Sequence, residues 1–287
     1  MLSLITASRS PEKVANWKRA WTNILAGQGP FEFLVQENAK SICEAYDAGQ
    51  RAAIEHSGKD RDHLLIFVHD DVQPLSQTFA PRLRAHFHAG IDVVGGAGAT
   101  KCIGDKWFLA GPPFVHGQVL NYVGACKGTR PRPWRSTDTV PSTQTQVMEE
   151  VDVPQHFSLA AFGVYSRLAR NICVADGFFL AARPGVLVWD KHTYDHFHLY
   201  DCDATYTAYK QGYQVAIAND LNLLHASQGG YNQPEFPVQA AKFLKKWEKH
   251  LPPQPPLVNG FNTCGIIAGD IHSAVEVMEQ LVANTET

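Results

Sequence analysis

Residues Leu64 to Val72 read LLIFVHDDV, and the fold follows from this stretch. Five apolar residues in a row, Leu64 to Val68, suit a short strand buried on both faces, as in a parallel sheet covered by helices. Two carboxylates, Asp70 and Asp71, follow that strand directly. In open α/β sheets, ligands gather outside the carboxyl ends of the strands. Paired acids at such a place suit a hard divalent cation that also holds phosphate. A helix N-cap or a surface turn uses the same residue type, so the pair alone leaves both readings open.

Working outward from this strand, the first hundred residues alternate strand and helix signals. Leu2 to Thr6 is an apolar run that opens the fold. Pro11 to Leu25 carries Val14, Trp17, Trp21, Ile24 and Leu25 at helical spacing, and Gly27 and Gly29 stop it. Phe31 to Val35 predicts a second strand, Ser41 to His56 a second helix, Pro81 to His88 a third, and Ile91 to Val94 a fourth strand before a flexible GGAGA. This order predicts an α/β fold with a mostly parallel central sheet flanked by helices.

Beyond Gly104 the alternation breaks. Lys127 to Gln146 is rich in Pro, Arg, Ser and Thr and reads as a long loop of the kind that serves as a lid. Cys173 to Ala182 reads as a strand, Asp203 to Lys210 as a short helix, Gln214 to Ala218 as a strand, and Lys242 to Trp247 and Ile271 to Ala283 as helices around the spacer LPPQPP.

Composition narrows the classes. A net charge of −3 over 287 residues argues against general nucleic-acid binding. Arg130, Arg132 and Arg135 form only a short basic stretch broken by prolines. No apolar run approaches the roughly 20 residues of a membrane span, and the opening residues lack the basic region of a signal peptide. The six cysteines are scattered without a C-x-x-C pair, which points away from zinc ribbons and toward core thiols in a reducing, cytoplasmic setting.

Two further stretches carry chemistry. In FHLYDCDATYTAYKQGYQVAIANDLNLLHASQGG, Phe197 to Gly230, Asp201 and Asp203 precede a short helix and His225 precedes Gly229 and Gly230. A carboxylate there is either a general base or a residue that complements the helix dipole. The histidine is either structural or a ligand. In VADGFFLAARPGVL, Asp176 and Gly177 read first as a turn and, functionally, as a contact for a sugar hydroxyl.

Taken in order, these phrases resemble the GT-A glycosyltransferases, in a bacterial branch similar to glycosyltransferase family two. AYDAGQRAA (Ala45 to Ala53), FVHDDV (Phe67 to Val72), VVGGAGA (Val93 to Ala99), ADGFFLAARP (Ala175 to Pro184), FHLYDCD through AYKQGYQV (Phe197 to Val215) and the late His225 carry the resemblance. It covers roughly residues 1 to 230, and implies a Rossmann-like GT-A domain with a nucleotide-binding half (1–100) and an acceptor half (101–230). Residues 231–287 would be a helical extension packed on the same domain.

The resemblance also implies roles. The segment His69-Asp70-Asp71 stands in the place of the family's D-x-D motif. Asp71 would ligate a divalent metal, Mn2+ or Mg2+, with His225 as a second ligand. His69 would lie near the donor ribose or the metal's water shell, and Asp70 and Glu37 would contact the donor. Asp176 and Gly177 would line the sugar pocket, and Asp201 would be the catalytic base. Tyr200 stands where many relatives carry Glu, which leaves Asp201 and Asp203 both open as the base. The implied reaction moves a sugar, with inversion, from a nucleotide-diphosphate sugar to a hydroxyl on a glycan, lipid-linked or small-molecule acceptor, in a monomer or homo-oligomer.

Three rivals are weighed against this. A sugar nucleotidyltransferase would open with a Gly-rich basic loop, which TASRSPEK lacks. A metal-dependent hydrolase built on His69 and Asp70 would place them on a helix with further histidines nearby. A nucleotide-sugar-binding subunit without turnover would have no need of Asp201 and His225 together.

Overall fold

The structure is a computed structural model and describes residues 1–57, 62–123, 126–131, 148–153, 156–164, 166–227, 233–252, 266–267 and 271–285. The first part comprises β1 (Leu2–Ala7), α1 (Pro11–Leu25), β2 (Phe31–Gln36), α2 (Ile42–Ser57), β3 (Leu64–Val68), β4 (Val72–Pro74), α3 (Phe79–His88), β5 (Val93–Gly95) and β6 (Ala97–Ala99). Next come β7 (Val115–Val123), β8 (Cys126–Pro131), β9 (Met148–Val153), β10 (His156–Ala161), β11 (Leu168–Ala169), β12 (Val174–Ala175) and β13 (Phe179–Ala182). The chain closes with α4 (Tyr200–Lys210), β14 (Val215–Ala218), β15 (Leu223–His225), α5 (Phe236–Trp247), β16 (Ile266–Ile267) and α6 (Ile271–Ala283).

The central sheet runs β11-β14-β5-β13-β3-β1-β2. β1 lies parallel to β2 and β3, β14 lies parallel to β5, and β13 enters antiparallel between β3 and β5. By strand direction the sheet is mostly parallel, as expected: β1, β2, β3, β5 and β14 run one way and β13 and β11 the other. β13 stands at its middle with β3 beside it, and every residue of LLIFV is buried. Helix α1 starts where Ser10 accepts a hydrogen bond from Lys13 N at 3.3 Å and Pro11 takes the first helical position. It buries Trp17, Trp21 and Leu25, spaced four apart on one face.

A second sheet runs β12-β6-β7-β10-β16, with β15 joining β7 to β4. Its residues Leu120, Leu159 and Leu224 pack with Ala274 and Met278 of α6 in a small core of their own. Helix α5 instead sends Phe236, Ala240 and Phe243 into the main core.

Four local expectations are corrected. GGAGA is not flexible: residues Gly95 to Ala99 are buried and form strand ends, because their small size lets other chain segments come close. A Cβ on Gly98 would lie 2.3 Å from the Val174 carbonyl oxygen, and one on Gly96 would lie 2.3 Å from the Phe178 ring. The expected strand Cys173 to Ala182 is broken into β12 and β13 by the turn at Asp176 and Gly177. Helix α4 starts at Tyr200, so Asp201 and Asp203 lie inside its first turn and not ahead of it. The expected loop from Lys127 begins as a strand, since β8 pairs with β9; residues 132–147 lie outside the described residues.

Candidate active site

The site is built at the carboxyl end of β3. After Val68 the chain turns: His69 N donates to the Phe178 carbonyl at 3.1 Å, and Val72 N donates back to the His69 carbonyl at 3.2 Å. This turn aims the three side chains in different directions. Asp70 turns toward α1, where its Oδ2 accepts from Ser8 Oγ at 2.6 Å and its Oδ1 lies 3.8 Å from Lys13 Nζ. Asp71 turns toward β15. Antiparallel pairing sets His225 opposite Val72, and Ala226 N donates to the Asp71 carbonyl at 2.9 Å. The sheet thus brings His225 to the acidic turn from far along the chain.

His69, Asp71 and His225 offer ligand atoms that all lie within 4.8 Å of one another. His225 Nε2 lies 3.4 Å from Asp71 Oδ1 and 2.9 Å from Ser227 Oγ, and its ring stacks on Phe178 at 5.4 Å. Asp71 Oδ1 is itself buried with no hydrogen-bond partner. Burial works to raise the Asp71 carboxyl, but the pull of His225, and then of His69, holds it down at about 2. Burial and the neighbouring His225 keep His69 neutral, with a lone pair available. An ionised carboxylate with an unused buried oxygen between two imidazoles fits a divalent cation.

The three ligand candidates line a cavity of about 970 Å³ shared with Asp176 and Asp201. Asp176 is held by Trp107 Nε1, which donates to its Oδ2 at 3.0 Å, and by Phe178 N, which donates to Oδ1 at 3.1 Å. Asp201 Oδ2 accepts from Gly177 N at 2.7 Å. Burial, and then the Asp176 charge, push the Asp201 carboxyl up to about 7. Asp203 takes no part in this cavity. It is 1% exposed and is tied to Lys246 Nζ and Trp247 Nε1, each at 2.8 Å, which fastens α4 to α5.

Tyr200 is central to the geometry. Its buried hydroxyl lies 2.8 Å from His69 Nε2 and donates to the Gly177 carbonyl at 3.2 Å. Gly177 sits beneath Tyr200 and Asp201 and is not among the residues lining the cavity. Glu37, exposed just after β2, lines a separate hollow of about 270 Å³ with Ser8, Arg9 and Asn38.

Over residues 4–233 the sequence matches a family described as glycosyltransferase-like. This chain belongs to that family. No curated protein matches it. The chain is therefore a glycosyltransferase, and its family implies nucleotide-sugar and acceptor substrates. Among its described residues, no helix is long and apolar enough to cross a membrane.

The glycosyltransferase depends on Gly177 for close approach, and not for an unusual backbone angle. A Cβ there would lie 2.3 Å from the Tyr200 hydroxyl and 2.7 Å from the Asp201 Cβ. Gly177→Ala is expected to cost about 1–3 kcal/mol in chemical denaturation by overpacking. Transfer should fall further than stability alone explains, because the same clash displaces Asp201. Unchanged stability and transfer would show that α4 yields freely at this point.

Proposed function

We propose that this glycosyltransferase is metal-dependent and moves a sugar from a nucleotide-diphosphate sugar to an acceptor hydroxyl with inversion. The observation that carries the proposal is one cavity holding both a low-pKa carboxylate between two imidazoles and a second carboxylate held near neutrality. The first set suits a cation and the second suits a base at physiological pH.

In this reading Asp71 and His225 hold the ion with His69 as a third donor, and two imidazoles favour Mn2+ over Mg2+. When bound, the ion offsets the negative charge that grows on the departing diphosphate. Glu37 and Asp70, from the nucleotide-binding half at residues 1–100, contact the nucleoside side of the donor. Asp176 holds a hydroxyl of the transferred sugar. Asp201 takes the proton from the acceptor hydroxyl as that oxygen attacks the anomeric carbon. A single carboxylate in the base role fits one displacement, hence inversion. Gly177 acts by giving Asp201 its hydrogen bond and its room. The free cysteines Cys43, Cys102, Cys173 and Cys202 suit a reducing, cytoplasmic location.

Calorimetric titration of nucleoside diphosphates with and without Mn2+ tests the donor site. One nucleotide is expected to bind tightly only when the metal is present. If none binds under either condition, the donor reading is wrong.

A further inference from the structure

We propose that Lys13 is a diphosphate-binding residue that works beside the metal, an assignment that rests on the donor reading above. Among the described residues lining the main cavity, Lys13 is the single lysine or arginine, while Asp71, Asp105, Asp176 and Asp201 line it with carboxylates. A nucleoside diphosphate is itself strongly anionic. Entering a hollow with four carboxylates, it needs positive charge beyond one divalent ion.

The position of Lys13 is otherwise unfavourable. It lies in the first turn of α1, where a cation runs against the helix dipole. The partner it has there does not satisfy it. Asp70 Oδ1 is 3.8 Å away, too far for a hydrogen bond, and Asp70 Oδ2 is already taken by Ser8. The Lys13 side chain is 57% exposed, so it is free to swing from Asp70 toward a phosphate bound next to Asp71. Its place is also close to both hollows. It lines the main cavity, while Asp70 ties it to Ser8, which lines the smaller hollow shared with Glu37. A donor with its nucleoside by Glu37 and its sugar by Asp176 would pass its phosphates across Lys13. The ammonium donates to a phosphate oxygen, and its charge counts for more as the diphosphate departs.

The experiment is a calorimetric titration with Mn2+ of the diphosphates and matching monophosphates of uridine, guanosine, cytidine, adenosine and thymidine. It compares wild type, Lys13→Met and Lys13→Arg. For whichever base binds, Lys13→Met should weaken the diphosphate by about tenfold and the monophosphate by much less, and Lys13→Arg should restore most of the loss. Thermal melts should be unchanged, since the side chain is on the surface. Undiminished diphosphate affinity in Lys13→Met, or an equal loss for both nucleotides, would overturn the assignment while leaving the donor site standing. Failure of wild type to bind any nucleotide would sink the donor reading itself and this assignment with it.

Discussion

Asp201→Asn is expected to reduce sugar transfer by about 10²–10⁴-fold while leaving metal and nucleotide binding close to wild type. The amide oxygen can still accept from Gly177 N, so the geometry at 2.7 Å is preserved and only the proton acceptor is lost. The wild-type rate should rise with pH through about 7, where Asp201 gives up its proton, and that acidic limb should vanish in the variant. Stability should move the other way. A carboxyl whose pKa is raised on folding contributes stability in full below its unfolded value near 4, and this is lost as pH rises through about 7. Asn carries no such burden. In the presence of a chelator, the variant should match wild type near pH 4 and exceed it at pH 8 by roughly 2–4 kcal/mol. Denaturation at the two pH values reads this directly. Full transfer by Asp201→Asn would sink the base assignment, and Asp203 would not replace it, because both its oxygens are engaged by Lys246 and Trp247.

Removing Asp71 should abolish metal-dependent donor binding. Asp71→Ala deletes the only anionic member of the His69, Asp71 and His225 cluster and leaves two imidazoles facing a divalent cation without a carboxylate. Loss of even a residue supporting a metal ligand costs about 10–100-fold in affinity, so loss of Asp71 itself should exceed about a hundredfold. Electron paramagnetic resonance of Mn2+ measures this without any need for an acceptor. His225→Ala should fail in the same way. Asp70→Ala is the informative control, since its carboxylate points to Ser8 and Lys13 and not into the cluster. It should hold Mn2+ normally and bind the nucleotide less well. Wild-type Mn2+ affinity in Asp71→Ala, with a loss in Asp70→Ala, would invert the two roles.

The expected helix Pro11 to Leu25 and strand Leu64 to Val68 coincide with α1 and β3, because each is written in local chemistry: a capping serine with a following proline, an apolar stripe, a continuous apolar run. The glycines of GGAGA depart from expectation for a matching reason. Glycine looks the same in sequence whether it serves freedom or close approach, and only the Val174 carbonyl and the Phe178 ring beside Gly98 and Gly96 tell which. Asp201 and Asp203 are equivalent as letters. Two residues apart on a helix they point about 200° from each other, so one faces the cavity and the other faces α5.

By itself, then, the sequence determined the α/β order, the buried strand and the acidic turn at its end, all of which rest on neighbours in the chain. Tertiary structure alone decided that β15 lays His225 beside Asp71, that Tyr200 reaches back to His69, and that Lys13 looks into the same cavity as Asp201. Those relations arise from strand pairing and from the angle at which helices meet the sheet. No residue encodes them locally, because the energy that sets them comes from packing the whole core.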